Sequence, residues 1–176
     1  MQIYKKLSAL EYVTYTAIIA GGIFLDQLTK FLAFKFMTVG QSIPLIEGFL
    51  HITYTTNDGA AFGAMDNMRW LFISVSIITI LLMGAYLYLG HAQSKLYAIS
   101  MSMIVSGGIG NMIDRLGFGF YKNAEGVGEV IDFIDFCGIW KAIFNGADSF
   151  VCVGAGLLVL AMIIDVRNEA KKQKNG

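Results

Sequence analysis

Apolar residues run in four long stretches along the chain, with polar residues confined to their ends and to the segments between. The stretches lie at roughly 13–36, 69–90, 96–114 and 148–166. A bilayer core about 30 Å thick needs about 20 mostly apolar helical residues, so each stretch predicts a transmembrane helix. The third, LYAISMSMIVSGGIGNMI, gathers Gly107, Gly108 and Gly110 toward its end, and the fourth carries Gly154 and Gly156. Glycine there lets another backbone approach closely. Between the stretches the period changes. In FLHITYTTNDGAAFG, Leu50, Ile52 and Tyr54 share one face, as on a half-buried strand. The NDG that follows reads as a turn. Residues 115–147 mix acids with apolar residues and belong at the membrane interface. The pattern predicts an all-α membrane protein, a four-transmembrane-helix bundle with a small extracytoplasmic β element, forming one domain over 1–176.

Charge orients the bundle. Lys5 and Lys6 precede the first stretch, Lys95 lies in the short GHAQSK connection, and Arg167, Lys171, Lys172 and Lys174 follow the last. Basic residues in short flanks stay on the cytoplasmic side, so both termini are expected there, with 37–68 and 115–147 outside. Composition agrees with a membrane protein: 56% of the 176 residues are hydrophobic, only 15% are charged, and mean hydropathy is +0.61. Soluble domains carry about 25% charged residues. The 13 basic and 13 acidic residues balance, and no dense basic patch outside the last ten residues points to nucleic acid. The N-terminus has a basic start and an apolar run but no clean small-residue cleavage site, so it reads as an uncleaved first helix. Cys137 and Cys152 form no metal-binding spacing and read as small apolar fillers.

Polar residues are expensive at membrane level, and here they cluster at the outer ends of the spans. In DQLTK, Asp26 and Lys30 stand one helical turn apart, which fits a self-neutralising pair or part of a site. GGIGNMIDR holds Asn111, Asp114 and Arg115. These suit either an interfacial helix end or a surface that binds a backbone. EVIDFIDFCGIWKAIFNGADSF holds Asp132, Asp135 and Asp148 among Phe, Ile, Trp and Val. Asp148, at the start of the fourth span, could be only a cap, and the other two only solvated loop acids. Two acids that bracket a short loop can also converge on one site.

Convergent carboxylates hold one proton between them near neutral pH, because like charges a few ångströms apart do not both ionise readily. One then activates water while the other donates to a carbonyl oxygen or leaving amine, which is metal-free amide hydrolysis. The only histidines, His51 and His91, support neither a Ser/Cys nucleophile nor a zinc site.

Five ordered motifs, DQLTK, TNDGAAFG, GGIGNMIDRL, GEVIDF and FNGADS, resemble the lipoprotein signal peptidases (signal peptidase II) of bacteria. The resemblance implies an aspartic endopeptidase of the inner membrane, needing no cofactor, that cuts prolipoproteins before a cysteine already carrying diacylglycerol. It implies Asp132 and Asp148 as the catalytic pair, and Asn57, Asn111, Arg115 and Asn145 as polar residues around the site. Asp26, Lys30 and Asp114 then take supporting places, and a monomer among membrane lipids is expected. Asp135 is the rival of Asp132, but only Asp132 follows the family's G-x-V-x-D-F pattern. Two departures stand out: Ala142 where the family usually has proline, and a longer stretch between Arg115 and Asp132. A proton-coupled transporter or channel subunit is the alternative from another class, although no span carries a midplane acid. Within the pair, the helix start favours charge on Asp148, while apolar neighbours favour the proton on Asp132.

Overall fold

A computed structural model describes residues 7–58, 69–92 and 94–175. Four helices, α1 (Ala9–Phe36), α2 (Arg69–Tyr88), α3 (Lys95–Arg115) and α4 (Gly146–Asn175), combine with three strands, β1 (Ser42–Ile46), β2 (Leu50–Asn57) and β3 (Val130–Asp135). Helix α1 starts earlier than its apolar run because Ser8 and Glu11 form a capping box: Glu11 N donates to Ser8 Oγ and Ser8 N to Glu11 Oε2. Helix α4 outlasts its apolar run because the polar tail that follows is rich in good helix formers. Among the described residues α1, α3 and the Gly146–Asn168 part of α4 are long and apolar enough to cross a membrane. The apolar stretch of α2, Ile73–Tyr88, is shorter. The expected NDG turn begins at Asn57, which is instead the last residue of strand β2, and its Gly59, with Lys5 and Lys6, lies outside the described residues.

Helix α3 is the centre of the bundle and packs most extensively on α4 and α1. Its small residues permit this. A Cβ on Gly107 would strike the carbonyl oxygen of Ala147, one on Gly22 would strike Ser106 Oγ, and one on Gly110 would strike the Asp26 carboxylate. Gly154 faces Ser100 O in the same way, whereas Gly156 faces open space. Ser106 Oγ donates to Ile19 O at 3.0 Å, tying α3 to α1. The distribution of side chains is inside-out: large apolar residues such as Phe24, Leu81, Leu82 and Val166 are exposed, while Asp26, Lys30, Ser102, Asn111, Asp114 and Asn145 are buried. That is the arrangement a lipid solvent selects.

The strands form one antiparallel sheet in the order β1-β2-β3. Pro44, without an N–H, sits on edge strand β1 beside a break in register. The alternation of Leu50, Ile52 and Tyr54 belongs to β2 as expected. The segment around Asp132, read from sequence as loop, is strand β3, because its unbroken VIDFID run is too short to announce itself by period. Tyr54, Ile131 and Phe133 pack on Ala33 of α1 and seat the sheet on one end of the bundle. Leu7, Tyr15, Leu87 and Ala98 close the other end.

Gly107→Ala is expected to destabilise by roughly 1–3 kcal/mol, because backbone rather than a flexible side chain blocks the new methyl. Gly156→Ala should be neutral or slightly stabilising. Thermal unfolding of the two variants in detergent checks the contrast.

Candidate active site

The local sequence FNGAD makes the start of α4. Asn145 is its cap: Oδ1 accepts from Asp148 N at 3.0 Å, and the Asp148 Oδ2 accepts from Asn145 N at 3.2 Å. This is a capping box with Asp148 at the third helical position. The intervening Ala147 N donates to Asp26 Oδ1 at 2.7 Å. A carboxylate from α1 thus satisfies another unpaired helix-terminal N–H. Asp148 is therefore a cap as well as a site candidate. The two readings coexist in one side chain.

Strand β3 brings Asp132 to the same point. Residues 136–143 loop out, and Phe144 returns to the strand: its carbonyl accepts from Phe133 N (2.8 Å) and Ile134 N (2.7 Å), and its N–H donates to Ile134 O (2.9 Å). The next residue, Asn145, then reaches Asp132 Oδ1 through Nδ2 at 2.6 Å. Across the sheet, pairing of Asn57 with Val130 sets Asn57 Nδ2 3.1 Å from Asp132 Oδ2.

Helices α1 and α3 supply the floor. Asn111 Nδ2 donates to Asp148 Oδ1 at 2.8 Å, and Asn111 Oδ1 accepts from Asn145 Nδ2 and from Lys30 Nζ, each at 3.0 Å. Lys30 Nζ also donates to Asp26 Oδ2 at 2.9 Å and Asp114 Oδ2 at 2.6 Å, a fully buried ion triad. One hydrogen-bonded network thus joins Asp26, Lys30, Asn57, Asn111, Asp114, Asp132, Asn145 and Asp148. Arg115 ends α3 beside it, partly buried.

Asp135 is placed elsewhere. Its Oδ2 accepts from Thr53 Oγ1 at 2.8 Å, and it does not share the Asn145 amide. Gln27 is a participant the motifs did not single out: its Nε2 lies 3.2 Å from Asp26 Oδ2 and from Gly110 O. Only its position inside DQLTK hints at this. The backbone clamp by Phe144 has no side-chain signature at all.

Burial raises the Asp132 pKa from 3.8 to about 6, and the neighbouring Asp148 charge adds to the rise. The amides of Asn57 and Asn145 and the Lys30 charge oppose it. The site therefore offers a carboxyl disposed to hold a proton and a second carboxylate next to it. Such a pair can activate water and protonate an amide in one step.

Lipid-facing helices around a buried cluster of carboxylates and amides define the class, a membrane-embedded protein with a polar site. A family model for signal peptidase (SPase) II matches residues 17–164. The chain belongs to the signal peptidase II family, peptidases of the aspartic class. It is 39% identical over 155 residues to the lipoprotein signal peptidase of Halalkalibacterium halodurans, covering 87% of this chain and 93% of that one. It is 40% identical over 146 residues to the lipoprotein signal peptidase of Caldanaerobacter subterraneus subsp. tengcongensis, covering 83% and 93%. A solved structure of a bacterial membrane enzyme superposes with TM-score 0.76 at 30% identity, over 95% of this chain and 96% of that one. A second gives 0.72 at 28% identity, over 92% and 97%.

The raised Asp132 pKa has a consequence for stability. The folded chain binds this proton more tightly than the unfolded chain, so between pH 3.8 and about 6 stability falls as pH rises. The contribution is present below pH 3.8 and lost above about 6, with a size on the order of 2–3 kcal/mol. Asp132→Asn should flatten this slope. Unfolding midpoints of wild type and variant across pH 4–8 test it.

Proposed function

We propose that the chain is the inner-membrane endopeptidase that removes signal peptides from prolipoproteins, cleaving before the diacylglyceryl-modified cysteine, with Asp132 and Asp148 as its catalytic pair. The convergence of both carboxylates on the single Asn145 amide and cap carries this reading. Asp148 takes a proton from water as the oxygen attacks the scissile carbonyl, and Asp132 gives its proton to the carbonyl oxygen. On collapse the amine leaves with the proton held by Asp148, and Asp132 recovers its own from the diol. No metal enters the scheme. Asn57, Asn111 and Asn145 orient the two carboxylates, Lys30 holds Asn111, Asp26 and Asp114 hold Lys30, and Arg115 lies beside them at the end of α3.

In this reading α2 is the fourth span. An α-helix rises about 1.5 Å per residue. The full length of Arg69–Tyr88 therefore approaches the thickness of the hydrocarbon core, even though its apolar stretch is shorter. Lys95, Arg167 and Lys171 mark the cytoplasmic side, with both termini there and the pair at the extracytoplasmic face. Residues 1–176 act as one peptidase domain, a monomer whose partners are lipid-modified substrates and the bilayer itself.

The decisive assay is cleavage of a diacylglyceryl-modified preprolipoprotein by the purified protein in detergent. Asp132→Asn and Asp148→Asn should each lower the rate by on the order of 1,000-fold or more, and Asp135→Asn should retain most activity. A dead Asp135→Asn beside an active Asp132→Asn would reverse the assignment. Chelators should leave the rate unchanged. For topology, Lys122→Cys in a chain with Cys137 and Cys152 replaced by serine should react with an impermeant thiol reagent in intact spheroplasts. Reaction only after lysis would place the site on the other face.

A further inference from the structure

The network around the pair has a direction, and the direction starts at Lys30. An ammonium has three N–H donors and no acceptor. All three are committed: to Asp26 Oδ2, Asp114 Oδ2 and Asn111 Oδ1. A carboxamide rotated by half a turn exchanges its oxygen for its NH2 group, and the two orientations have nearly the same shape. At Asn111 the rotated form would press an NH2 against the buried ammonium, so the oxygen must face Lys30. The Asn111 NH2 is then left to face Asp148 Oδ1. The same Asn111 oxygen accepts from Asn145 Nδ2, whose other hydrogen goes to Asp132 Oδ1. The Asn145 oxygen is held in turn by Asp148 N. Every amide along the path from Lys30 has one allowed orientation.

We propose that Lys30 is a positioning residue that sets the polarity of the Asn111–Asn145 amide chain, so that an N–H donor meets Oδ1 of both Asp132 and Asp148. Asn57 Nδ2 and Asn145 N meet the two Oδ2 atoms, so the amides oriented from Lys30 supply one of the two N–H donors on each carboxylate. Lys30 touches no reacting atom and lies buried on α1. It acts through Asn111. The inference rests on Asp132 and Asp148 being the catalytic pair and adds what decides how that pair is presented to a substrate.

Lys30→Met alone would leave Asp26 and Asp114 as uncompensated buried charges and could prevent folding. The informative variant is the neutral triad Asp26→Asn/Lys30→Met/Asp114→Asn. It keeps an oxygen at position 26 for Ala147 N and removes the ammonium that orients Asn111. The expected result is a folded protein with KM within about twofold of wild type and kcat lowered at least about tenfold. The acidic limb of its kcat profile should move to higher pH, because amide donors free to rotate no longer favour the ionised carboxylates. A purely structural role would lower stability and active fraction without moving the profile. Wild-type kcat and pH profile in the folded triple variant would overturn the inference, as would a loss of rate with an unmoved profile. If the triple variant fails to fold, Asn111→Asp decides: it keeps the acceptor for Lys30 but has no N–H for Asp148. An unshifted profile and full kcat in that variant would overturn the inference equally. Activity surviving in Asp132→Asn or Asp148→Asn would instead remove the pair itself, a separate failure.

Discussion

Asn145 is the residue that ties β3, α3 and α4 together at the site. It caps α4 with its oxygen, touches Asp132 and Asn111 with its nitrogen, and receives the Asp148 carboxylate on its backbone N–H. A buried carboxamide left half-satisfied costs about 1–3 kcal/mol per missing bond, so the first turn of α4, the end of β3 and the wall of α3 must meet where this group demands. The capping requirement of a helix and the geometric requirement of two interacting carboxylates are met by the same atoms. Substituting Asn145 would loosen both.

The surroundings make that demand enforceable. Lipid gives apolar side chains no reason to prefer each other over the solvent, so association of α1, α3 and α4 falls to close backbone contact and polar bonds. Glycines at 22, 107, 110 and 154 provide the first. The Asp26–Lys30–Asp114 triad and the Ser106 bond to Ile19 O provide the second. Removal of one member of a buried ion group leaves an uncompensated charge, a loss of about 3–5 kcal/mol. Stability and site geometry are therefore held by overlapping sets of residues, and few substitutions near the pair affect only one of them.

Much of this was legible in the sequence, for identifiable reasons. Long apolar runs exposed α1, α3 and α4, and the polar residues stood out because lipid-facing sequence has so few of them. FNGADS reads as a helix start, and it is one. Asp132 could be named only through resemblance to a family, since taken alone VIDFID is a short apolar run in which Asp135 is as eligible as Asp132. What separates the two is which one Asn145 reaches, and that follows from Phe144 doubling back onto Phe133 and Ile134 through main-chain bonds to which side-chain identity contributes nothing. Strand β1 escaped because its residues are exposed and carry no alternation. The length of α2 was not settled by hydropathy, because its apolar stretch stops short of a full span.

The bond from Ala147 N to the Asp26 carboxylate links residues 121 positions apart. It joins α1 with α4, a helix synthesised well after it. Asp132, Asn145 and Asp148 are neighbours along the chain and come together locally. Their support from Asp26, Lys30 and Asn111 awaits the docking of α4 beside helices already in the bilayer. A ribosome delivers those helices in order, so a nascent chain holding α1, β2 and α3 has the floor of the site but neither its cap nor Asp148. The network around Asp132 is therefore incomplete while α1 and α3 insert, and it closes only when α4 docks, in a single step of assembly.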